Sequence, residues 1–283
     1  MDLFPYALRK NQRNIMEDIN DTLARGKHFI FESGTGSGKT ICALSATLQY
    51  ALDNNKKIVY TTRTNAQQRQ VIVELRAIRK KKRDNGIFGV GVQGRANMCI
   101  LAKKDPEIGK GTAEELSRFC SNQKKKANKK GQGCEYFKNI DKQRIERTIS
   151  WTKENLPTAE EFIEHCEKNK TCPYEINKLL IKESTVVVVP YIYVFDNSIR
   201  RLLFDWLSVP IDDTILVVDE AHNLPNYLRD LFSAQLSIWM LNNCTSEAEK
   251  YGDPSIADEK ISVSRFCKTL SEIIFGLRDT YVY

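Results

Sequence analysis

Apolar positions in the first ninety residues change period in a regular way. Ile15, Ile19 and Leu23 recur at helical spacing and Gly26 follows as a C-cap, predicting a helix over 11–25. His28-Phe29-Ile30-Phe31 is a short apolar run that predicts a strand, and Ile41-Cys42-Ala43-Leu44 opens a helix reaching about Leu52. Lys57-Ile58-Val59-Tyr60-Thr61 predicts a second strand, Val71, Leu75 and Ile78 set a helix over 65–82, and 87–92 predicts a third strand. Strands alternating with helices imply an α/β fold, a parallel sheet with helices on both faces.

That rhythm fails between about Gly94 and Cys172, where lysine is abundant, β-branched residues are scarce and five of the eight cysteines fall. The stretch reads as a mostly helical insertion. Alternation returns with Thr185-Val186-Val187-Val188-Val189, a run typical of a strand buried on both faces. A helical segment through Leu202-Leu203-Phe204 and a strand at Thr214-Ile215-Leu216-Val217-Val218 follow. Further helices are expected around 236–241 and 264–277. The predicted organisation is an α/β domain from 1–93 and 173–231, an insertion over 94–172 and a separate helical piece over 232–283.

A length of 283 residues allows one large domain with insertions or two modest domains. No apolar run approaches the ~20 residues of a membrane span, and no secretory h-region opens the chain. The expectation is therefore a soluble, cytoplasmic protein whose cysteines are reduced thiols or metal ligands. The formal charge of +7 is uneven: residues 76–130 hold 16 Lys/Arg against 5 Asp/Glu, leaving the remainder of the chain at −4. Arg79-Lys80-Lys81-Lys82-Arg83, Lys124-Lys125-Lys126 and Lys129-Lys130 form an electrostatic footprint for a polyanion.

Phosphate chemistry is concentrated in Glu32-Ser33-Gly34-Thr35-Gly36-Ser37-Gly38-Lys39-Thr40, placed between an expected strand and an expected helix. Glycines let backbone N–H groups wrap phosphates, the helix N-terminus adds positive dipole, Lys39 neutralises the β- and γ-phosphates, and Thr40 offers its hydroxyl to Mg2+. The strict pattern has glycine where Ser33 stands; a small residue still fits. Asp219-Glu220-Ala221-His222 leaves the strand at 214–218 by its carboxyl end, where open parallel sheets collect ligands. Asp219 is the expected outer ligand of Mg2+, Glu220 the group that activates water, and His222 a sensor of nucleotide state.

With Thr61-Thr62-Arg63-Thr64 and the cysteine-bearing insertion between them, these motifs resemble superfamily 2 DNA helicases of the xeroderma pigmentosum group D (XPD) type, especially the shorter archaeal forms. The resemblance covers essentially the whole chain. It implies a RecA-like motor domain that uses ATP and Mg2+, with Phe4, Arg9 and Gln12 near the adenine and Arg63 and Thr64 on the DNA backbone. It also implies a 4Fe-4S cluster on Cys99, Cys120, Cys134 and Cys172, a helical arch beginning at about 232, and 5′ to 3′ unwinding in DNA repair. Single-stranded or forked DNA would be the partner. A second motor domain, supplied by the same or another chain, would complete the hydrolytic site, so this chain alone is expected to bind ATP and hydrolyse it poorly.

The residues by themselves leave more open. Gaps of 21, 14 and 38 residues between those cysteines match neither ferredoxin spacing nor a compact zinc ribbon, so zinc and iron-sulfur stay even, and Cys166 rivals Cys172 as fourth ligand. Cys42, Cys244 and Cys267 read as ordinary buried thiols. Tyr136, Phe137, Tyr174, Tyr191 and Tyr193 lie among basic residues as candidates for base stacking, with Arg95 as a further DNA contact. Two readings remain: the motor and cluster portion of a helicase, or a stand-alone ATP-responsive DNA-binding module.

Overall fold

The computed structural model describes residues 2–34, 36–83, 86–130, 132–234, 236–256 and 260–281. Helix α1 spans Gln12–Ala24, α2 Lys39–Asp53 and α3 Asn65–Lys82, with strand β1 at Lys57–Thr62 and β2 at Gly89–Gly91. Helices α4 (Arg95–Met98), α5 (Ile100–Lys104), α6 (Pro106–Gly109), α7 (Ala113–Lys130), α8 (Glu135–Lys138), α9 (Lys142–Asn155), α10 (Ala159–Lys168) and α11 (Pro173–Glu183) fill the gap before β3, Val186–Pro190. Then come α12 (Ile192–Phe195), α13 (Asn197–Leu207), β4 (Thr214–Val218), α14 (Leu224–Phe232), α15 (Ile238–Lys250) and α16 (Val263–Tyr281).

The four strands form one parallel sheet in the order β2-β3-β1-β4, with Val59 beside Val187 on one side and Leu216 on the other. This is the RecA-like α/β arrangement that the sequence pattern implied. Ile58, Val59 and Tyr60 of β1 and Val186–Val189 of β3 are all buried, as covering by helices on both faces requires. The core continues through Leu44, Leu48, Leu75, Ile78 and Ile181. Gly89 marks a close approach in the core: a Cβ there would meet Leu75 Cδ2 at 2.5 Å and Val186 O at 2.9 Å. Helix α11, which follows the insertion, is tied to the sheet edge by Asn177, whose amide donates to Gly91 O at 3.0 Å.

One expected strand is absent. Residues 28–31 make no ladder among the described residues, and Ile30 is 91% exposed. Both edges of β1 are occupied by β3 and β4, so the segment has no central position to take. Phe29 and Phe31 instead stack on each other at 5.6 Å against the core. The free edge of β4 leaves Leu216 48% exposed.

The chain divides into two compact units, residues 1–225 and 226–283. In the second, α15 and α16 pack together, and Asp253 ties the turn between them by accepting from Ser264 N–H at 2.8 Å and Ser264 Oγ at 2.6 Å. No helix among the described residues is long and apolar enough to cross a membrane.

Candidate nucleotide and nucleic-acid site

Two loops meet at the carboxyl ends of β1 and β4. The glycine-rich loop enters α2 through Gly38, at φ +85°, after Gly36 at φ +75°. A Cβ on Gly38 would lie 2.6 Å from Gln12 Nε2. Gln12 is buried and fully engaged: Nε2 donates to Ser37 O at 2.8 Å, and Oε1 accepts from Arg9 N–H at 2.8 Å. The Arg9 guanidinium donates to Gly36 O at 2.6 Å. Arg9 and Gln12 therefore brace the loop backbone. Since C=O and N–H of one peptide point in opposite directions, holding Ser37 O on that side turns the Gly38 N–H away from it. Lys39 Nζ donates to Ser33 O at 2.7 Å and Gly34 O at 3.4 Å. The Ser37 hydroxyl is buried with no hydrogen-bond partner among the described residues. Thr35 lies outside the described residues.

The acidic turn extends the sheet by one bond, Asp219 N–H to Thr61 O at 3.0 Å. Glu220 then adopts φ +51°, a left-handed conformation uncommon for a residue with a Cβ. Tyr191 holds it there: its hydroxyl donates to Asp219 O and, at 3.1 Å, to Glu220 O. Burial and the neighbouring Glu220 charge raise the pKa of Asp219, while Lys39 pulls it back down. Lys39 and Asp219 thus lie within electrostatic reach across the two loops.

Tyr60 of β1 stands between them. Its phenol is buried, which raises its pKa, as do the charges of Asp219 and Glu220, while the nearby Thr40 side chain acts in the opposite sense. Sequence reading missed this residue; the available signal was one phenol in an otherwise apolar central strand.

Arg63 and Thr64 are exposed just past β1. Thr64 caps α3, accepting from Gln67 N–H at 3.2 Å in a capping box. Arg63 donates to Asn223 Oδ1 at 2.7 Å; Asn223 Nδ2 lies 3.0 Å from His222 Nε2 and donates to Glu220 O at 3.2 Å. His222 Nδ1 is 3.2 Å from Glu220 Oε2. A continuous polar path therefore joins Arg63 to Glu220, with Asn223, unforeseen from sequence, as its middle link.

The tyrosines need correction. Tyr136, Tyr191 and Tyr193 are 4%, 2% and 5% exposed, so their faces are not open to bases. They sit in apolar packing with their hydroxyls satisfied: Tyr136 by Lys104 at 2.9 Å, Tyr193 by Gln93 O at 3.2 Å. Tyr174 is half-buried, with Arg95 4.6 Å and Lys178 4.8 Å from its ring centre and Trp206 edge-on at 6.1 Å. Phe137 has Lys124 at 5.3 Å. Phe4 is 6% exposed and packs edge-on against Tyr6. Among the remaining cysteines, Cys42 and Cys267 are buried as expected, but Cys244 is exposed.

The four insertion thiols gather. Burial raises the pKa of Cys120, Cys134 and Cys172, the last to about 12, and their mutual charges raise them further: Cys99 acts on Cys120 and Cys134, and both of these act on Cys172. Lys124 and Arg95 act on Cys120 in the opposite sense. Cys166 is fully buried, bonded to Thr171, and senses only Cys172 of this group. No set of three or more His, Cys, Asp or Glu side chains among the described residues closes around a single metal ion.

A parallel sheet with a glycine-rich loop and an acidic turn at its carboxyl edge defines an α/β fold of the kind found in nucleotide-driven motors. Residues 60–241 match the DEAD_2 family model, and the chain belongs to that family, the XPD-like superfamily 2 helicases. The chain is 29% identical, over 98% of its length, to the general transcription and DNA repair factor IIH helicase subunit XPD/RAD3 of Saccharomyces cerevisiae, and spans 37% of that protein. It is 26% identical, over 87% of its length, to a regulator of telomere elongation helicase 1 homolog from Arabidopsis thaliana, spanning 25% of it. Its fold is similar to a solved XPD helicase, with a TM-score of 0.60 at 19% identity over 96% of this chain and 41% of that one. A solved truncated XPD aligns with a TM-score of 0.51 at 20% identity over 96% of this chain and 65% of the other.

Proposed function

We propose that this chain is the N-terminal motor and iron-sulfur portion of an ATP-dependent DNA helicase of 5′ to 3′ polarity, acting in DNA repair. The observation that carries this reading is the meeting of the two loops at the carboxyl edge of the sheet: Asp219 N–H donates to Thr61 O of β1 at 3.0 Å, and Lys39 lies within electrostatic reach of Asp219. Mg-ATP would lie in the loop formed by Gly34, Thr35, Gly36, Ser37 and Gly38, with the orphaned Ser37 hydroxyl as one donor to phosphate. Lys39 would leave the Ser33 carbonyl for the β- and γ-phosphates, and Thr40 with Asp219 would hold Mg2+. A dication there also relieves the unfavourable charge on Asp219. Glu220, fixed in its strained backbone by Tyr191, would orient and deprotonate the attacking water, with His222 reporting the outcome to Asn223 and Arg63.

The thiols of Cys99, Cys120, Cys134 and Cys172 fit a 4Fe-4S cluster better than a lone ion. Each iron of a cubane takes one thiolate, so four soft donors need only ring a common centre. Lys124 and Arg95 act on Cys120 in favour of its thiolate form, against the burial that disfavours it. When bound, the cluster would pin together an insertion of short helices. Single-stranded or forked DNA would run from Arg63 and Thr64 toward the insertion. A DNA-directed enzyme resides with the genome, so a cytoplasmic location holds for a cell without a nucleus.

ATP turnover with and without single-stranded DNA, and with and without a second motor domain added in trans, tests the reading. Slow turnover alone, stimulated by DNA and raised when that domain is added, is expected, because arginines from a partner domain can supply ~10³ to 10⁵ in rate. DNA binding indifferent to both ATP and the added domain would favour the stand-alone module instead.

A further inference from the structure

Of the basic runs in the sequence, one forms a concave site far from the nucleotide loop. Arg76, Arg79, Lys80, Arg83 and Asn155 line a cavity of about 490 Å³ between the C-terminal end of α3 and that of α9. Two of its cations are structural. Arg76 donates to Leu156 O at 2.7 Å and pairs with Glu161, and Arg79 donates to Lys153 O and Glu154 O, satisfying the last carbonyls of α9. Arg76 is neutralised by Glu161, whereas Arg79 is bonded only to backbone carbonyls and has no ion pair among the described residues, so its charge is left uncompensated at the cavity floor. Lys80 and Arg83, at the rim, are exposed and have no hydrogen bond or ion pair among the described residues.

Helix α3 begins at Thr64, at the carboxyl edge of the sheet, and runs back past it for 18 residues, about 27 Å. The cavity therefore sits at the rim opposite Arg63, Thr64 and the phosphate loop. Its free donors are long, exposed side chains rather than converging N–H groups, an arrangement that holds a flexible polyanion better than one compact phosphate. Lys81 and Lys82 extend the same positive field along the surface.

We propose that this cavity is a second nucleic-acid contact, taking the backbone phosphates of a single strand through Lys80 and Arg83 over a floor made positive by Arg79. It rests on the DNA-binding reading above and adds a site on the opposite rim of the motor.

The test is the salt dependence of binding of a 24-nucleotide single strand to the full chain, compared with the double variant Lys80→Gln/Arg83→Gln. A control double variant, Arg25→Gln/Lys27→Gln, removes two exposed charges elsewhere, and melting curves verify that all three fold. Each lost phosphate contact lowers the slope of log K against log salt by about 0.7, so the test variant should lose about 1.4. Its affinity deficit then shrinks about sevenfold between 50 and 200 mM salt, while the control keeps the wild-type slope. A slope unchanged in the test variant, or lowered equally in both doubles, overturns the proposal. A loss confined to pyrophosphate or polyglutamate, with the DNA slope intact, overturns it in favour of a small anion or an acidic protein. Wild-type protein with no salt-dependent DNA binding at all would sink the helicase reading too, and so separates the two failures.

Discussion

Replacing Gly38 by alanine should cripple nucleotide binding for two separable reasons. At φ +85° a Cβ costs about 1–2 kcal/mol of backbone strain. The same atom would stand 2.6 Å from Gln12 Nε2, so Gln12 must withdraw and give up its bond to Ser37 O, worth about 0.5–1.5 kcal/mol net. Together these amount to about 2–3 kcal/mol, or roughly 30- to 150-fold weaker binding of a fluorescent ATP analogue measured by anisotropy with Mg2+. The steric share can be isolated. Gln12→Ala alone should weaken binding about fivefold, and Gly38→Ala in that background should cost only the strain, leaving a coupling of about 1 kcal/mol in the double-mutant cycle. Binding by Gly38→Ala within twofold of wild type, or identical losses in both backgrounds, would refute the idea that Gln12 braces the loop from behind.

Asn223→Ala breaks the path from Arg63 to Glu220 without touching the phosphate loop. ATP affinity without DNA should hold within twofold, while the change in ATP affinity on adding single-stranded DNA should vanish. Cys172→Ser should remove the brown colour and the iron and acid-labile sulfide of the purified protein, and open the 94–172 insertion to protease. A colourless wild-type protein holding zinc would contradict the cluster. The raised pKa of Asp219 means that its charged form costs folded stability: the cost is absent below the unfolded pKa and sets in as pH rises through the folded value. Asp219→Asn should therefore melt higher than wild type at neutral pH without Mg2+, with the gap closing in acid.

Elements with a strong period were legible from the chain. The valine run at 186–189 and the helical spacing of Val71, Leu75 and Ile78 lie where their patterns put them, because burial on both faces or one stripe leaves few alternatives. Residues 28–31 show the limit: a strand needs a neighbour as well as a pattern, and this segment pairs with none among the described residues. The tyrosines fail for a related reason. Composition shows rings among cations, yet whether a ring faces solvent depends on packing between distant segments, and Tyr191, directly after the fully buried β3, was spent on holding the acidic turn. That position at a strand's carboxyl end was the available hint. Arg9 and Gln12 were placed beside the nucleotide loop, but their bonds to the Gly36 and Ser37 carbonyls depend on a fold that brings α1 to it, which no local pattern encodes.

The account stands on one cation shared between the two loops, and Mg2+ linkage measures that directly. ATP-analogue affinity should be titrated against Mg2+ in wild type, Lys39→Ala and Asp219→Ala. Mg2+ should tighten binding clearly in the wild type, much less in Asp219→Ala, and Lys39→Ala should bind weakly throughout. An Asp219→Ala protein with the wild-type response to Mg2+ would mean that the acidic turn does not face the phosphates.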